Sequence, residues 1–164
     1  MIEIKQAEEQ DTFVIEDILL DVYDWLESIN APIWSRKEIM WKRLSEEHKI
    51  TDFYIAYMNG EAVGCMALID FDPDYWNDLE KGESLFIHKF AVKREGAGKG
   101  ISVALIDYAK NECKRLKISA LRLDTHMYRP KVRAMYERNG FKLADEKLMF
   151  GKYYTAFYVW NVER

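Results

Sequence analysis

Ala91–Ser102 reads AVKREGAGKGIS and places three glycines, Gly96, Gly98 and Gly100, at alternate positions between an apolar run and an amphipathic one. Upstream, Leu85–Val92 is nearly all apolar, aromatic or branched, the composition of a strand buried on both faces. Downstream, Ile101, Leu105, Tyr108, Ala109 and Leu116 recur at helical spacing, which predicts a helix starting near Gly98 to Gly100. Glycine is costly at a helix start unless something must come close to the backbone. The N–H groups of such a first turn, with the positive end of the helix dipole, attract a diphosphate. Lys93, Arg94 and Lys99 add positive charge there, in a chain whose net charge is −4. The other reading is a strand-to-helix turn that simply needs flexible residues.

Two other phosphate loops compete for this stretch. A Walker loop ends in Gly-Lys-Ser/Thr, and here Lys99 is followed by Gly100. A dinucleotide fingerprint needs glycine where Ile101 stands, although Asp124 ends the next strand at about the distance of a ribose-binding acid. The glycine loop also lies past mid-chain, which leaves too little sequence for a doubly wound sheet.

Outward from the loop, 164 residues predict a single domain spanning 1–164, with 49% hydrophobic, 32% charged and 14% aromatic residues. The charged start MIEIKQAEEQ and the absence of a twenty-residue apolar run lead us to expect a cytoplasmic protein without membrane contact. Net negative charge gives no reason to expect nucleic acid. Cys65 and Cys113 fit no metal spacing, sit in apolar contexts and are expected to be reduced core residues.

Ile2–Lys5 alternates as a first strand, and Val14, Ile18, Val22, Trp25 and Ile29 mark one face of a helix ended by Asn30-Ala31-Pro32. Ser35 with Glu38 is a capping box that should open a second helix through Ile39, Met40 and Leu44. Phe53–Met58 and Ala62–Ile69 flank Asn59-Gly60, a hairpin signal. Asp70–Gly82 is a polar loop. Ala120–Thr125 is a strand, Pro130 opens a helix that Gly140 ends, and Phe141–Glu146 with Tyr153–Val162 form a final strand pair.

This order of elements, the glycine loop and the segment VRAMYERNGF at Val132–Phe141 together resemble the GNAT superfamily of acyl-CoA N-acyltransferases. The resemblance covers nearly the whole chain. It implies an α/β (α+β) fold: a mixed, mostly antiparallel sheet of about seven strands flanked by about four helices. It also implies acetyl-CoA as cofactor and an acetyl group moved directly to a primary amine. The family's loop aligns on Ala97, Gly98, Lys99, Gly100, Ile101 and Ser102, following a strand that ends in Phe90, Ala91 and Val92. Ala97 departs from the Gln or Arg usual there, so Arg94 or Lys99 would compensate. Tyr136, Gly140 and Phe141 match the family's Tyr, three residues, Gly-Phe. Arg129 replaces the asparagine usual seven residues before the tyrosine, and could reach a phosphate instead.

Acetyl transfer needs a neutral nitrogen, a polarised carbonyl and a proton for the departing thiolate. An alkyl amine with a pKa near 10 must be deprotonated. Glu83, His88 and, behind them, Asp124 are the candidate bases, although His88 on its apolar face also reads as a packed core histidine and Glu83 as a solvated one. The resemblance makes a backbone N–H near Phe90 or Ala91 the donor to the carbonyl, and Tyr136 the general acid. The helix pattern alone reads Tyr136 as a core tyrosine.

The acceptor groove implied by the resemblance draws on Trp25–Trp41 and Asp70–Ser84. Trp25, Trp34, Asp70, Trp76 and Asp124 are the expected acceptor contacts. Acidic side chains beside Tyr75 and Trp76 suit a cationic small-molecule or peptide amine, or are simply solvated. The Asp-x-Asp-x-Asp run lacks the glycine and glutamate of a calcium loop, so no metal is expected. Two rivals remain at this point: a catalytically weak or inactive acyl-CoA-binding module, and a nicotinamide-nucleotide enzyme. Tyr153, Tyr154, Phe157, Tyr158 and Trp160 on the last strand suggest exposed apolar area and leave room for a homodimer.

Overall fold

The computed structural model describes residues 1–163. Its elements run β1 (Ile2–Gln6), α1 (Thr12–Ser28), α2 (Trp41–Leu44), β2 (Phe53–Met58), β3 (Glu61–Ile69), β4 (Ser84–Val92), α3 (Ile101–Leu116), β5 (Ala120–His126), α4 (Pro130–Arg138), β6 (Lys142–Met149) and β7 (Tyr153–Asn161). The seven strands are ordered β1-β2-β3-β4-β5-β7-β6. Pairing is antiparallel for β1/β2, β2/β3, β5/β7 and β6/β7, and parallel for β4/β5. This is the mixed, mostly antiparallel sheet with helices that the family resemblance implies. The chain falls into two compact units.

The first unit comprises Met1–Leu68 and His88–Tyr108. Its core sets Ile15, Ile18, Leu19, Val22 and Leu26 of α1 against Phe53, Ile55, Cys65 and Ala67. Each of the Ile, Leu, Val and Phe side chains among them contributes about 1.5–3 kcal/mol on burial. The buried stripe differs from the expected one: Val14 and Trp25 lie at its margin and Ile29 is 49% exposed. The capping box at Ser35 and Glu38 does form, with both backbone bonds at 3.3 Å, but it opens only a 3-10 turn. Met40 has extended backbone (ψ 144°), so α2 is a single turn whose Trp41 N–H is capped by Glu16 at 2.7 Å. The hairpin at Asn59 (φ 51°) and Gly60 (φ 84°) is as the sequence predicts.

His48 follows α2 and is 6% exposed, packed edge-on against Phe53 at 5.5 Å. Burial, with smaller contributions from His88 and Lys89 that outweigh Asp52 and Glu47, holds its imidazole down at about 4. The unfolded chain takes up that proton near 6.5 and the folded one only near 4, so stability present above pH 6.5 is lost as pH falls to 4. The loss amounts to at most about 3 kcal/mol. Replacing His48 by Phe is expected to flatten that part of the acid dependence, read as urea midpoints between pH 6.5 and 4. Parallel pH profiles for the two proteins would refute it.

The second unit comprises Ile69–Ile87 and the described residues from Ala109 onward. Trp76, Phe86 and Phe157 form its aromatic cluster. The last strands correct the sequence reading. β7 lies between β5 and β6; Phe157 (2% exposed) and Tyr158 (0%) are buried, Trp160 is half-buried, and Tyr153 and Tyr154 stay open. β6 also runs on to Met149, past the expected end at Glu146, because its turn is made at Phe150 and Gly151, both in the left-handed region. Cys65 and Cys113 are free and buried, as expected. No helix among the described residues is long and apolar enough to cross a membrane.

Candidate functional site

In the first unit, the chain leaves β4 with the Lys93 N–H donating to Val63 O at 2.8 Å, and then makes a tight turn. Within it, Gly96 N–H donates to Lys93 O, Ala97 N–H to Arg94 O and Lys99 N–H to Gly96 O. The amides of Ala97 and Lys99 are therefore engaged within the turn. Gly98 (φ 73°) and Gly100 (φ 84°) take left-handed conformations that let the chain fold onto the start of α3. The amides of Ile101 and Ser102 open α3, where a helix has no acceptor of its own to offer. A side chain added at Gly98 would meet nothing within 4 Å, so the outer side of the turn is open. Ile101 is 1% exposed and anchors the inner side.

The cations flanking the turn are tied to α1. Lys93 Nζ lies 2.5 Å from Asp17. The Arg94 N–H donates to Asp21 at 2.9 Å, and the Arg94 guanidinium stacks 3.9 Å from the centre of the Trp25 ring. Trp25 is thus a seat for Arg94, while Lys99 remains exposed.

β4 carries a feature absent from the sequence reading. Lys89, in mid-strand, has φ 49°, a conformation that costs a non-glycine residue about 1–3 kcal/mol and clusters at functional sites. Its only sequence signal is a lysine interrupting an apolar run. Its ammonium lies 5.8 Å from the Trp34 ring centre. On one side of this irregularity His88, half-buried, meets His48 edge-on at 5.8 Å. On the other side come Phe90 and Val92, half-buried, and Ala91, 3% exposed.

In the second unit, Tyr136 is 6% exposed, edge-on to Phe141 at 5.7 Å and tilted against Tyr158 at 6.4 Å. Burial, and then Asp124, push its phenol well above the usual 10. The Tyr158 hydroxyl accepts from Arg133 Nε at 2.8 Å and donates to Glu137 at 2.9 Å, which fixes the strand beside α4. Arg129 occupies the N-cap of α4, half-buried. Glu83 is exposed, and its carboxylate closes the polar loop by accepting the Glu80 N–H at 2.6 Å. Asp70 pairs with Lys81 at 2.6 Å. Trp76 is 8% exposed, under the Arg122 guanidinium at 5.0 Å. Asp124 faces Phe157 across the β5/β7 ladder.

A glycine turn held against a helix N-terminus, on a mixed seven-stranded sheet, defines the acyl-CoA N-acyltransferase class of fold. The family model described as Acetyltransferase (GNAT) family matches residues 16–141, and the chain belongs to that family. Among solved structures, it resembles a GNAT-family acetyltransferase from Listeria monocytogenes (TM-score 0.79, 21% identity, 98% of this chain and 95% of that one). PaiA N-acetyltransferase from Thermoplasma acidophilum, solved with coenzyme A, gives a TM-score of 0.76 at 18% identity over 99% of each chain. The ribosomal-protein-S18-alanine N-acetyltransferase of Escherichia coli gives 0.68 at 16% identity, over 100% of this chain and 96% of that one. No curated protein matches the sequence significantly.

Proposed function

We propose that this GNAT-family protein is an N-acetyltransferase that moves the acetyl group of acetyl-CoA directly to a primary amine. The observation that carries the proposal is the turn at Gly98 and Gly100, opening outward at the start of α3. Its residues fit a pyrophosphate: the amides of Gly98, Gly100, Ile101 and Ser102 supply donors, the helix dipole supplies positive potential, and the exposed Lys99 supplies a full charge. Because the Ala97 and Lys99 amides are engaged, Ala97 serves only as a spacer and Lys99 acts through its ammonium. Arg129, at the N-cap of α4, is assigned to a phosphate.

When bound, the cofactor supplies the acetyl group and a thiolate leaving group. His88 takes the proton from the acceptor nitrogen as the C–N bond forms and the C–S bond breaks. Glu83 is the second choice, since its carboxylate is already committed to the Glu80 N–H. A backbone N–H at Phe90 or Ala91, beside the irregular Lys89, polarises the carbonyl. The Tyr136 phenol donates to the sulfur. Trp34, Asp70 and Asp124 are assigned to the acceptor, whereas the burial of Trp76 and the stacking of Trp25 under Arg94 suit supporting roles.

Thiol release from acetyl-CoA across a panel of amines tests this reading, with coenzyme A binding measured by calorimetry. Saturable binding with amine-dependent thiol release is expected. Binding without turnover would favour an acyl-CoA-binding module, which Ala97 and Arg129 at two usual contact positions could suit. Absence of heat at millimolar coenzyme A would overturn both.

A further inference from the structure

The two sides of the glycine turn are held by different means. On the inner side Gly96 is buried, and a Cβ built there would stand 3.3 Å from Val63 Cβ, 3.3 Å from Ile101 Cγ1 and 3.4 Å from Val92 Cγ1, so β3, β4 and α3 fit closely around it. From Ala97 to Gly100 the chain is exposed, and two of these four residues are glycines. The bonds inside the turn each reach back only three residues, from Gly96 to Lys93, Ala97 to Arg94 and Lys99 to Gly96. Such bonds shape a turn without fixing it to the rest of the fold. A turn that presents N–H groups to a diphosphate binds more tightly the less freedom it loses on binding.

The outer grip comes from α1. Asp17, Asp21 and Trp25 recur at four-residue spacing and so lie along one face of that helix. Asp17 pairs with the Lys93 ammonium at 2.5 Å, Asp21 accepts the Arg94 N–H at 2.9 Å, and the Arg94 guanidinium lies 3.9 Å from the centre of the Trp25 ring. Arg94 is thus pegged to α1 at both its backbone and its side chain. The Asp17 pair adds less, because that side chain is 69% exposed. Carboxylates beside an anion site repel the anion, so their presence there has to be explained by what they hold. These two hold the first residues of the turn.

We infer that Asp21 and Trp25 are positioning residues for coenzyme A: acting through Arg94, they hold the glycine turn in the form that presents the amides of Gly98, Gly100, Ile101 and Ser102, without touching the cofactor themselves. The role rests on the reading of the turn as the pyrophosphate site. It also accounts for Ala97. A turn pegged from α1 at Arg94, with the Ala97 N–H bonded to the Arg94 carbonyl, needs no longer side chain at 97 to stiffen it.

Removing a carboxylate near a diphosphate by itself tightens binding, so the test compares two variants of equal charge. Asp21→Asn keeps an oxygen that accepts the Arg94 N–H, and Asp21→Ala keeps none. Coenzyme A titrated into each by calorimetry is expected to bind Asp21→Ala about fivefold more weakly than Asp21→Asn. Alanine favours a helix more than asparagine does, so the loss is not that of a melted α1. Without ligand, amide hydrogen exchange at Gly96, Ala97 and Lys99 should run faster in Asp21→Ala and Trp25→Leu than in wild type, and Asp21→Asn and Trp25→Phe, which keep the acceptor and the ring, should restore protection. Equal affinities in Asp21→Ala and Asp21→Asn would overturn the inference, whether or not exchange changes. Failure of the underlying reading looks different: coenzyme A would then leave the Ile101 and Ser102 amide resonances of wild type unmoved. A failed brace leaves those shifts in place and removes only the difference between the variants.

Discussion

Gly64→Val is expected to lower stability by about 3 kcal/mol or more, and to weaken coenzyme A binding with it. Gly64 is buried in β3, and a Cβ built there would stand 2.9 Å from Ile101 Cγ2, 3.1 Å from the Ala91 carbonyl oxygen and 3.4 Å from Leu105 Cδ1. The Ile101 methyl could shift, but the Ala91 oxygen is backbone at the end of β4 and cannot yield without moving the strand. Valine adds two further methyls to the same space. Overpacking of this kind usually costs about 1–3 kcal/mol, and a collision with main chain belongs at the upper end. That is a large share of the roughly 5–15 kcal/mol that holds a domain folded. The displaced atoms are also the two anchors of the glycine turn, the last buried residue of β4 and the first residue of α3. Urea midpoints and calorimetry should therefore fall together. Gly60→Asn is the control: a Cβ there meets nothing within 4 Å, and asparagine accepts its φ of 84°. A Gly64→Val protein with the wild-type midpoint would show that the β3 contact is slack.

The same kinds of local signal account for what the sequence revealed and what it hid. Asn59-Gly60 announced its hairpin because both residues suit the left-handed region, whereas Phe150-Gly151 makes a second such turn with a residue that disguises it, so β6 was read as ending early. Ser35 and Glu38 do exchange their capping bonds, but a capping box reports only the first turn, and the break at Met40 has no signature in its own side chain. On α1, counting from Val14 rather than Ile15 rotated the apolar stripe by one residue and placed Ile29 inside when it lies at the exposed end. The fold class was legible because the motifs that carry the family resemblance, the glycine loop and the segment Val132–Phe141, are local in sequence. Which loop aromatic turns inward was not, because that depends on partners distant in sequence: Trp76 packs on Phe86 and Phe157, and Tyr75 turns to Phe150.

If Tyr136 serves the thiolate as proposed, Tyr136→Phe should lower kcat by about 10²–10³-fold while changing coenzyme A affinity little. Burial and the nearby Asp124 both disfavour the phenolate, so the phenol keeps its proton at every pH where the enzyme is assayed. A thiol has a pKa near 8.5. Full transfer from a phenol held above 10 to that sulfur is therefore uphill, and Tyr136 acts chiefly by aiming a hydrogen bond at charge that develops on the sulfur as the C–S bond breaks. Such a bond is made in the transition state and not with the resting thioester, which is why its loss appears in kcat and not in binding. The pH profile carries a second signature. A donor that never ionises in the working range contributes no alkaline limb, so wild type and Tyr136→Phe should share one profile below pH 10, displaced only in height. The phenylalanine ring keeps the packing against Phe141 and Tyr158, so the urea midpoint should move by less than the cost of a core cavity. Unchanged turnover in the variant would remove Tyr136 from the mechanism, and a fall in kcat matched by an equal fall in stability would assign it to the core instead.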